Sequence, residues 1–164
     1  MGDGSLQTEQ PDPAKPVGSV LVVGGGIAGM QSSLDLADAG YKVYPVEKKS
    51  AIGGHMAQLD KTFPTNDCAM CTISPRLVEV GRHLNVELMT DSEVTELAGE
   101  AGDFTATLHT HPRFIDVDIC NGCGKCAEVC PVSIEDPFDV GMGKARAAQL
   151  VESNTHLVAA KDAA

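Results

Sequence analysis

The sequence predicts an α/β fold in which a βαβ unit and a β-hairpin precede a short cysteine-rich segment. Three observations carry this prediction. A β-branched apolar run at 19–23 ends in three glycines, helical spacing follows up to Gly40, and a second apolar run covers 41–47. Farther along, the alternating segments SEVTEL and DFTATLHT flank GEAG, as in a hairpin. The third observation is the spacing C-x2-C-x2-C-x3-C-P, which begins at Cys120 and defines the cysteine-rich segment.

Composition narrows the class of protein. The chain has 164 residues, is 43% hydrophobic and carries a formal net charge of −11, so it can bury a core and is a poor partner for nucleic acid. It contains no apolar stretch near the roughly 20 residues of a membrane span, and its polar start lacks signal-peptide features. We therefore expect a cytoplasmic protein, whose six cysteines serve metal or redox chemistry in a reducing, anaerobic setting.

The order of elements predicts four regions. Residues 1–18 are expected to form a flexible leader, 19–114 a partial Rossmann-like domain, 115–140 an iron-sulfur segment and 141–164 a tail. Within the second region, 48–74 is expected to be mostly loop, followed by a short helix at 75–83 with Pro75 in its first turn. The segments NVELMT and SEVTEL are predicted strands.

Three glycines follow the first strand and open the first helix. Gly24, Gly26 and Gly29 form a G-x-G-x-x-G pattern, in which the turn is tight, the backbone approaches a pyrophosphate and the helix packs closely on the sheet. Glu47 ends the second strand, where it can accept hydrogen bonds from an adenosine ribose. This context favours a dinucleotide site over a purely structural turn.

A second glycine pair favours FAD over NAD. Glu47 is followed by five residues and then Gly53 and Gly54, an arrangement that resembles the two-dinucleotide-binding flavoproteins such as glutathione and thioredoxin reductases. The resemblance implies that the glycine pair lies near the flavin pyrophosphate and that the backbone of Val94 contacts adenine. His55, directly after the pair, is expected to line the flavin site. The other histidines stand in polar contexts and are expected to be solvated: His83, His109, His111 and His156.

The four clustered cysteines have the spacing of ferredoxins that bind 4Fe-4S clusters. Thiolates suit iron, and the short gaps wrap three sulfurs, from Cys120, Cys123 and Cys126, around one cube. A zinc site or disulfides are the alternatives, but zinc ligands more often fall in two separated pairs. The sequence leaves the fourth ligand of this cluster undecided. Cys130 could close its own cluster, or Cys68 and Cys71 could contribute a ligand. Another polypeptide could instead exchange cysteines with this one, and this is the alternative that we prefer.

Cys68 and Cys71 form a second, C-x-x-C site. They could be a redox dithiol, cluster ligands or a buried, inert pair. We favour metal ligation, because the chain already carries an iron-sulfur pattern.

The run from Gly24 to His83, followed by the ferredoxin spacing, closely resembles the family of heterodisulfide reductase A-type subunits. The likeness extends from about Val20 to about Lys144, and LDKTFPTNDCAMC is its most particular part. It implies a FAD-containing iron-sulfur protein of methanogens and other anaerobes, in which the flavin takes an electron pair and sends single electrons along two cluster routes. It also implies that a cysteine of the TNDC-x-x-C loop helps to hold a cluster near the flavin.

Members of that family are several hundred residues long, with a second nucleotide motif and a second half to the ferredoxin insert. The resemblance therefore implies a split or truncated protein that needs other subunits of a heterodisulfide-reductase-like complex, including one that supplies the missing halves. The expected function is electron transfer between FAD and 4Fe-4S clusters, inactive in the isolated chain, with no side chain as catalyst. The alternatives are a non-enzymatic iron-sulfur module and a small C-x-x-C disulfide reductase.

Overall fold

The computed structural model describes residues 17–112, 119–121, 123–136 and 139–148. In these ranges the strands are β1 (Ser19–Val23), β2 (Lys42–Val46), β3 (Lys61–Thr62), β4 (Asp67–Cys68), β5 (Ser92–Glu100), β6 (Asp103–Thr110), β7 (Ser133–Glu135) and β8 (Lys144–Arg146). The helices are α1 (Ile27–Asp38), α2 (Ala69–Arg82) and α3 (Lys125–Val129), with a 3-10 helix at Gly54–Gln58. The predicted α/β class is confirmed.

The βαβ unit forms as predicted. β1 and β2 pair in parallel, with Ser19 opposite Lys42 and Val23 opposite Val46, and α1 makes the crossover. The chain after α2 continues this sheet through only two parallel bridges, from Val43 to Val86 and from Val46 to Met89. The predicted strand NVELMT is thus irregular.

The irregularity has a simple cause in β2. The Val43 amide donates to Asn85, and the Met89 amide donates to the carbonyl of Pro45, so the segment is aligned as a strand. Pro45 has no amide hydrogen to donate in return, which removes one bond from the middle of the ladder.

Helix α2 corrects the prediction for residues 48–83. It begins at Ala69, six residues before the predicted start, and Pro75 lies inside it. The buried positions of α2 recur at helical spacing: Ala69, Ile73, Leu77 and Val80. Their burial offsets the cost of a proline inside a helix, about 3 kcal/mol.

The core joins the two long helices. Met30 and Leu34 of α1 pack with Ile52 and with the apolar face of α2. This packing fixes where α1 begins, and therefore where the glycine turn in front of it lies.

The predicted hairpin is confirmed and is longer than expected. β5 pairs antiparallel with β6 from Ser92 opposite Thr110 to Glu100 opposite Asp103, with an irregularity between Val94 and Glu96. Two of the four residues of GEAG therefore belong to β5, leaving a two-residue turn that includes Gly102 at φ +94°.

The cysteine-rich segment contains α3 and β7, and β7 pairs antiparallel with β8 in the predicted tail. β7 pairs with β8, with Ser133 opposite Arg146 and Glu135 opposite Lys144. The expected boundary at residue 140 falls inside this pair. None of the helices in the described ranges is long and apolar enough to cross a membrane.

Candidate cofactor sites

The glycine turn joins the end of β1 to the start of α1. Gly24 donates its amide to the Val46 carbonyl at 2.7 Å and has φ +105°, a conformation that glycine adopts without strain. A Cβ on Gly29 would overlap the carbonyl oxygen of Gly24. Only glycine at position 29 lets α1 pack this closely against the turn.

Gly26 faces open space at the beginning of α1. It is the N-cap residue, and a Cβ built on it would meet nothing within 4 Å. Glycine has no side chain with which to cap the first-turn amides, and that turn contains no acidic residue. The uncapped amides and the positive end of the helix dipole suit a phosphate group. The open space beside Gly26 is consistent with the predicted position of the pyrophosphate, which stays a prediction.

Glu47 is held against the glycine turn by backbone amides. Its Oε2 accepts from the Gly25 amide at 2.7 Å, and its Oε1 accepts from the Lys49 amide at 2.9 Å. Each carboxylate oxygen retains a further lone pair, so both can still accept from a ribose hydroxyl. Sequence reasoning did not single out Gly25, which orients this carboxylate.

The second glycine pair touches the first turn. Gly53 donates its amide to the Gly25 carbonyl at 2.7 Å, and a Cβ on Gly54 would stand 3.1 Å from the Gly26 Cα. Gly53 and Gly54 both have positive φ, at +116° and +57°. The structure thus brings the two predicted glycine segments together.

The two remaining predicted flavin residues lie beside this arrangement. His55 follows Gly54 in the 3-10 helix and is exposed. Val94 is half-buried in β5 and pairs with Leu108. It stands two residues from Ser92, whose amide donates to the Glu47 carbonyl at 3.0 Å. Roles in flavin binding remain predictions for both.

An open groove of about 560 Å³ lies between α2 and the base of the hairpin. Its lining includes Leu77 and Val80 of α2, Leu88, and Ser92 and Thr110 of the hairpin. None of the residues of the glycine turn lines it, so this groove is a different place from the predicted nucleotide site.

Cys68 and Cys71 are exposed at the beginning of α2. Cys68 is the N-cap residue, and its Sγ accepts from the Cys71 amide at 3.3 Å. Hydrogen bonding from the side chain and backbone of Cys71 lowers the pKa of Cys68, while the Cys68 sulfur raises the pKa of Cys71. Their exposure excludes the buried, inert alternative and leaves the dithiol and the metal-ligand alternatives.

The ferredoxin-type cysteines surround α3. Cys120 precedes it, the Cys123 amide donates to Asn121 Oδ1 at 3.2 Å, Cys126 lies within it, and Cys130 caps its end. Hydrogen bonding from the Ala148 backbone, and then from that of Val132, lowers the pKa of Cys130. All four thiols are free and at least partly exposed. They are therefore accessible to a cluster.

Among the described side chains, one group of three potential metal ligands lies close enough together to hold a single ion, and it contains no cysteine. It consists of Glu93, His109 and His111, whose ligand atoms lie within 4.8 Å of one another. His109 and His111 are exposed, as expected of solvated side chains, but their grouping with Glu93 was not predicted. Their spacing of two residues on a strand, which puts both side chains on one face, was the available signal.

Two protein families match the chain. The FAD binding domain family matches residues 19–58, which contain the two glycine segments and Glu47. The 4Fe-4S binding domain family matches residues 113–134, which contain the four clustered cysteines. These matches confirm the predicted cofactor classes, FAD and a 4Fe-4S cluster.

Curated relatives share about half of the residues. An A-type iron-sulfur protein of the CoB–CoM heterodisulfide reductase of Methanopyrus kandleri is 54% identical over 79% of this chain and 19% of its own length. The A-type component of the H2:CoB-CoM heterodisulfide,ferredoxin reductase of Methanothermobacter thermautotrophicus is 54% identical over 77% of this chain and 19% of its own. Among solved structures, an L-proline dehydrogenase from P. horikoshii superposes with a TM-score of 0.46 at 20% identity, over 56% of this chain and 19% of that one. The chain spans about a fifth of the length of the curated relatives it matches.

Proposed function

We propose, from the premise that this chain belongs to the family of heterodisulfide reductase A-type subunits, that it passes electrons between FAD and 4Fe-4S clusters within a heterodisulfide-reductase-like complex. The observation that carries the proposal is the contact between the two glycine segments, with Glu47 bonded to the same turn. When bound, FAD exchanges electrons in pairs or singly and a cluster exchanges them singly, so the pair of cofactors links two-electron and one-electron chemistry.

This chain's residues would hold the adenosine half of FAD. Gly24 and Gly29 shape the turn, Gly26 leaves room for the pyrophosphate at the start of α1, and Glu47 accepts from the ribose. Gly53 and Gly54 allow the chain to pass close by. His55 and the backbone of Val94 would complete the contacts. No side chain of this set needs to act as an acid, base or nucleophile.

The iron-sulfur segment would bind a cluster through Cys120, Cys123 and Cys126. Cys130 would reach toward a second cluster on a partner chain, and that partner would return a cysteine to the first. The hydrogen bonding that lowers the pKa of Cys130 favours its thiolate, the form in which it ligates iron. The segment 115–140 would thus be one half of a shared ferredoxin-like unit.

The exposed edge of the sheet supports the need for a partner. β1 pairs only with β2 among the described strands, and both of its ends, Ser19 and Val23, are exposed. Parallel sheets are normally covered on both faces, and an open strand edge presents backbone groups with which another segment can pair. We infer that a further chain segment pairs with β1, and that the isolated chain is inactive as an oxidoreductase.

Cys68 and Cys71 would serve as ligands of a cluster near the flavin. One observation favours a second candidate, a small disulfide reductase: an exposed C-x-x-C pair at a helix start, with the pKa of its first cysteine lowered, suits thiol exchange. Loss of disulfide reduction in Cys71→Ser would support that candidate. Unchanged activity in the variant would exclude it.

A reductive titration of the assembled complex under anaerobic conditions tests the proposal. We expect the flavin absorbance to bleach and the EPR signal of reduced 4Fe-4S clusters to appear over the same additions of reductant. A complex that contains clusters but no flavin would contradict the proposal and support a non-enzymatic iron-sulfur module.

A further inference from the structure

Three side chains on the hairpin form a group that the flavin and iron-sulfur proposals do not use. The ring nitrogens of His109 and His111 and the carboxylate of Glu93 lie within 4.8 Å of one another. The two rings meet edge to face with centroids 4.7 Å apart, and His111 Nε2 is 3.5 Å from Glu93 Oε1.

The backbone fixes this grouping. Glu93 on β5 lies directly opposite His109 on β6, and cross-strand partners project from the same face. His111 is two residues after His109, so it points to that face too. Its amide donates to the Asp91 carbonyl at 2.7 Å, which carries the strand pairing past the end of β6. The three groups are therefore held together by register rather than by chance surface contact.

We propose that Glu93, His109 and His111 bind a divalent cation of the zinc class at the base of the hairpin. Two imidazoles and one carboxylate suit Zn²⁺, Ni²⁺ or Cu²⁺ and not Mg²⁺ or Ca²⁺, which prefer oxygen ligands alone. Ligand atoms about 2.1 Å from a tetrahedral ion stand about 3.4 Å apart. The pair of His111 and Glu93 already has that spacing, and His109, which is exposed, closes the remainder by a side-chain rotation. Water completes the coordination.

The ion does not compete with the neighbouring lysine for the same oxygen. Lys48 Nζ is 3.8 Å from Glu93 Oε2, whereas His111 faces Oε1. Metal on Oε1 therefore leaves Oε2 to Lys48. The residue before Glu93, Ser92, donates its amide to the Glu47 carbonyl. A bound ion thus ties β5 to β6 where the hairpin joins β2, and braces the strand end that presents Glu47.

The test is a titration of the full chain with Co²⁺ under reducing, anaerobic conditions. Because the cysteines also bind metal, the measurement separates two kinds of site by their spectra: thiolate ligands give sulfur-to-cobalt charge-transfer bands, and nitrogen and oxygen ligands do not. Besides any Co²⁺ at the cysteines, we expect one equivalent of Co²⁺ whose binding adds d–d bands and no charge-transfer bands. His109→Asn and His111→Asn each remove that equivalent and leave the charge-transfer bands unchanged. Glu93→Gln weakens it by roughly tenfold or more, since even ligand-supporting groups contribute that much.

His83→Asn is the matched control. His83 pairs with Asp38 at 3.2 Å and lies at the end of α2, outside both strands of the hairpin, so this variant keeps the full equivalent. In the unmodified chain, Zn²⁺ should also shift the ring NMR signals of His109 and His111 and leave those of His83 in place. An unchanged equivalent in His109→Asn, or ring signals that do not respond to Zn²⁺, would overturn the proposal.

Discussion

The Gly53 amide donates to the Gly25 carbonyl at 2.7 Å, and Gly25 in turn donates its amide to Glu47. These two bonds join three sequence features, which lie between positions 25 and 53, into one arrangement. The glycine turn, the second glycine pair and the acidic residue at the end of β2 therefore form a single site. A substitution in one of them should therefore alter the position of the other two.

Gly26→Val should abolish FAD binding. The valine side chain would occupy the open space at the start of α1, where the pyrophosphate is expected. Flavin content of the complex reconstituted with excess FAD checks this. Gly81→Val is a suitable control, because a Cβ at Gly81 also meets nothing within 4 Å but lies in α2. Retained FAD in Gly26→Val would show that the motif is only a turn.

Glu47→Ala should weaken FAD binding by about 1.5–3 kcal/mol, or roughly 10- to 150-fold, through loss of a charge-assisted hydrogen bond. The variant also leaves the amides of Gly25 and Lys49 without their acceptor, so the turn itself should loosen. Fluorescence titration with FAD measures the change. Glu79→Ala, which removes an exposed carboxylate on α2, should bind FAD as the parent does. Equal affinities in all three proteins would remove Glu47 from the site.

Cys68 should react with iodoacetamide at lower pH than Cys71 in the metal-free chain. Because the pKa of Cys68 is lowered, its reactive thiolate persists as the pH falls, whereas the raised pKa of Cys71 restricts its thiolate to higher pH. Peptide mapping by mass spectrometry after brief alkylation across a pH series gives both profiles. Profiles that coincide would mean that the Cys71 amide does not stabilise the Cys68 thiolate in solution.

Ile73→Ala should destabilise the chain by about 2–5 kcal/mol, because Ile73 is fully buried between the helices. Chemical denaturation followed by circular dichroism measures the free energy of unfolding. Glu79→Ala on the exposed side of α2 should cost far less. A small effect at Ile73 would contradict the early start of α2, which places this residue in the core.

Local sequence patterns correctly predicted those elements whose signals lie within a few residues of one another along the chain. The apolar runs of β1 and β2, the glycine turn and the alternation of β5 and β6 all belong to this class. The start of α2 was missed because Pro75 and the polar residues before Ala69 resemble a loop, while the burial that favours the helix comes from α1. The site on the hairpin was missed for a similar reason: Glu93 and His109 become neighbours only through strand register.

Cys130→Ser distinguishes a shared from a closed cluster. If Cys130 serves a partner's cluster, the isolated chain should hold its iron weakly with or without this change, because three thiolates leave one iron open to solvent. Iron counting and EPR on the isolated chain and on the assembled complex give the comparison. An intact four-iron cluster in the chain alone, lost in Cys130→Ser, would show that Cys130 closes its own cluster.

We propose that this chain carries FAD and a 4Fe-4S cluster for electron transfer. The most direct test of this proposal is to count FAD and iron in the chain purified anaerobically with its partners, for the parent and for Gly26→Val. We expect FAD and a 4Fe-4S cluster in the parent, and we expect Gly26→Val to lose FAD while it keeps its iron. Parent complexes that contain every partner and still no FAD would contradict it.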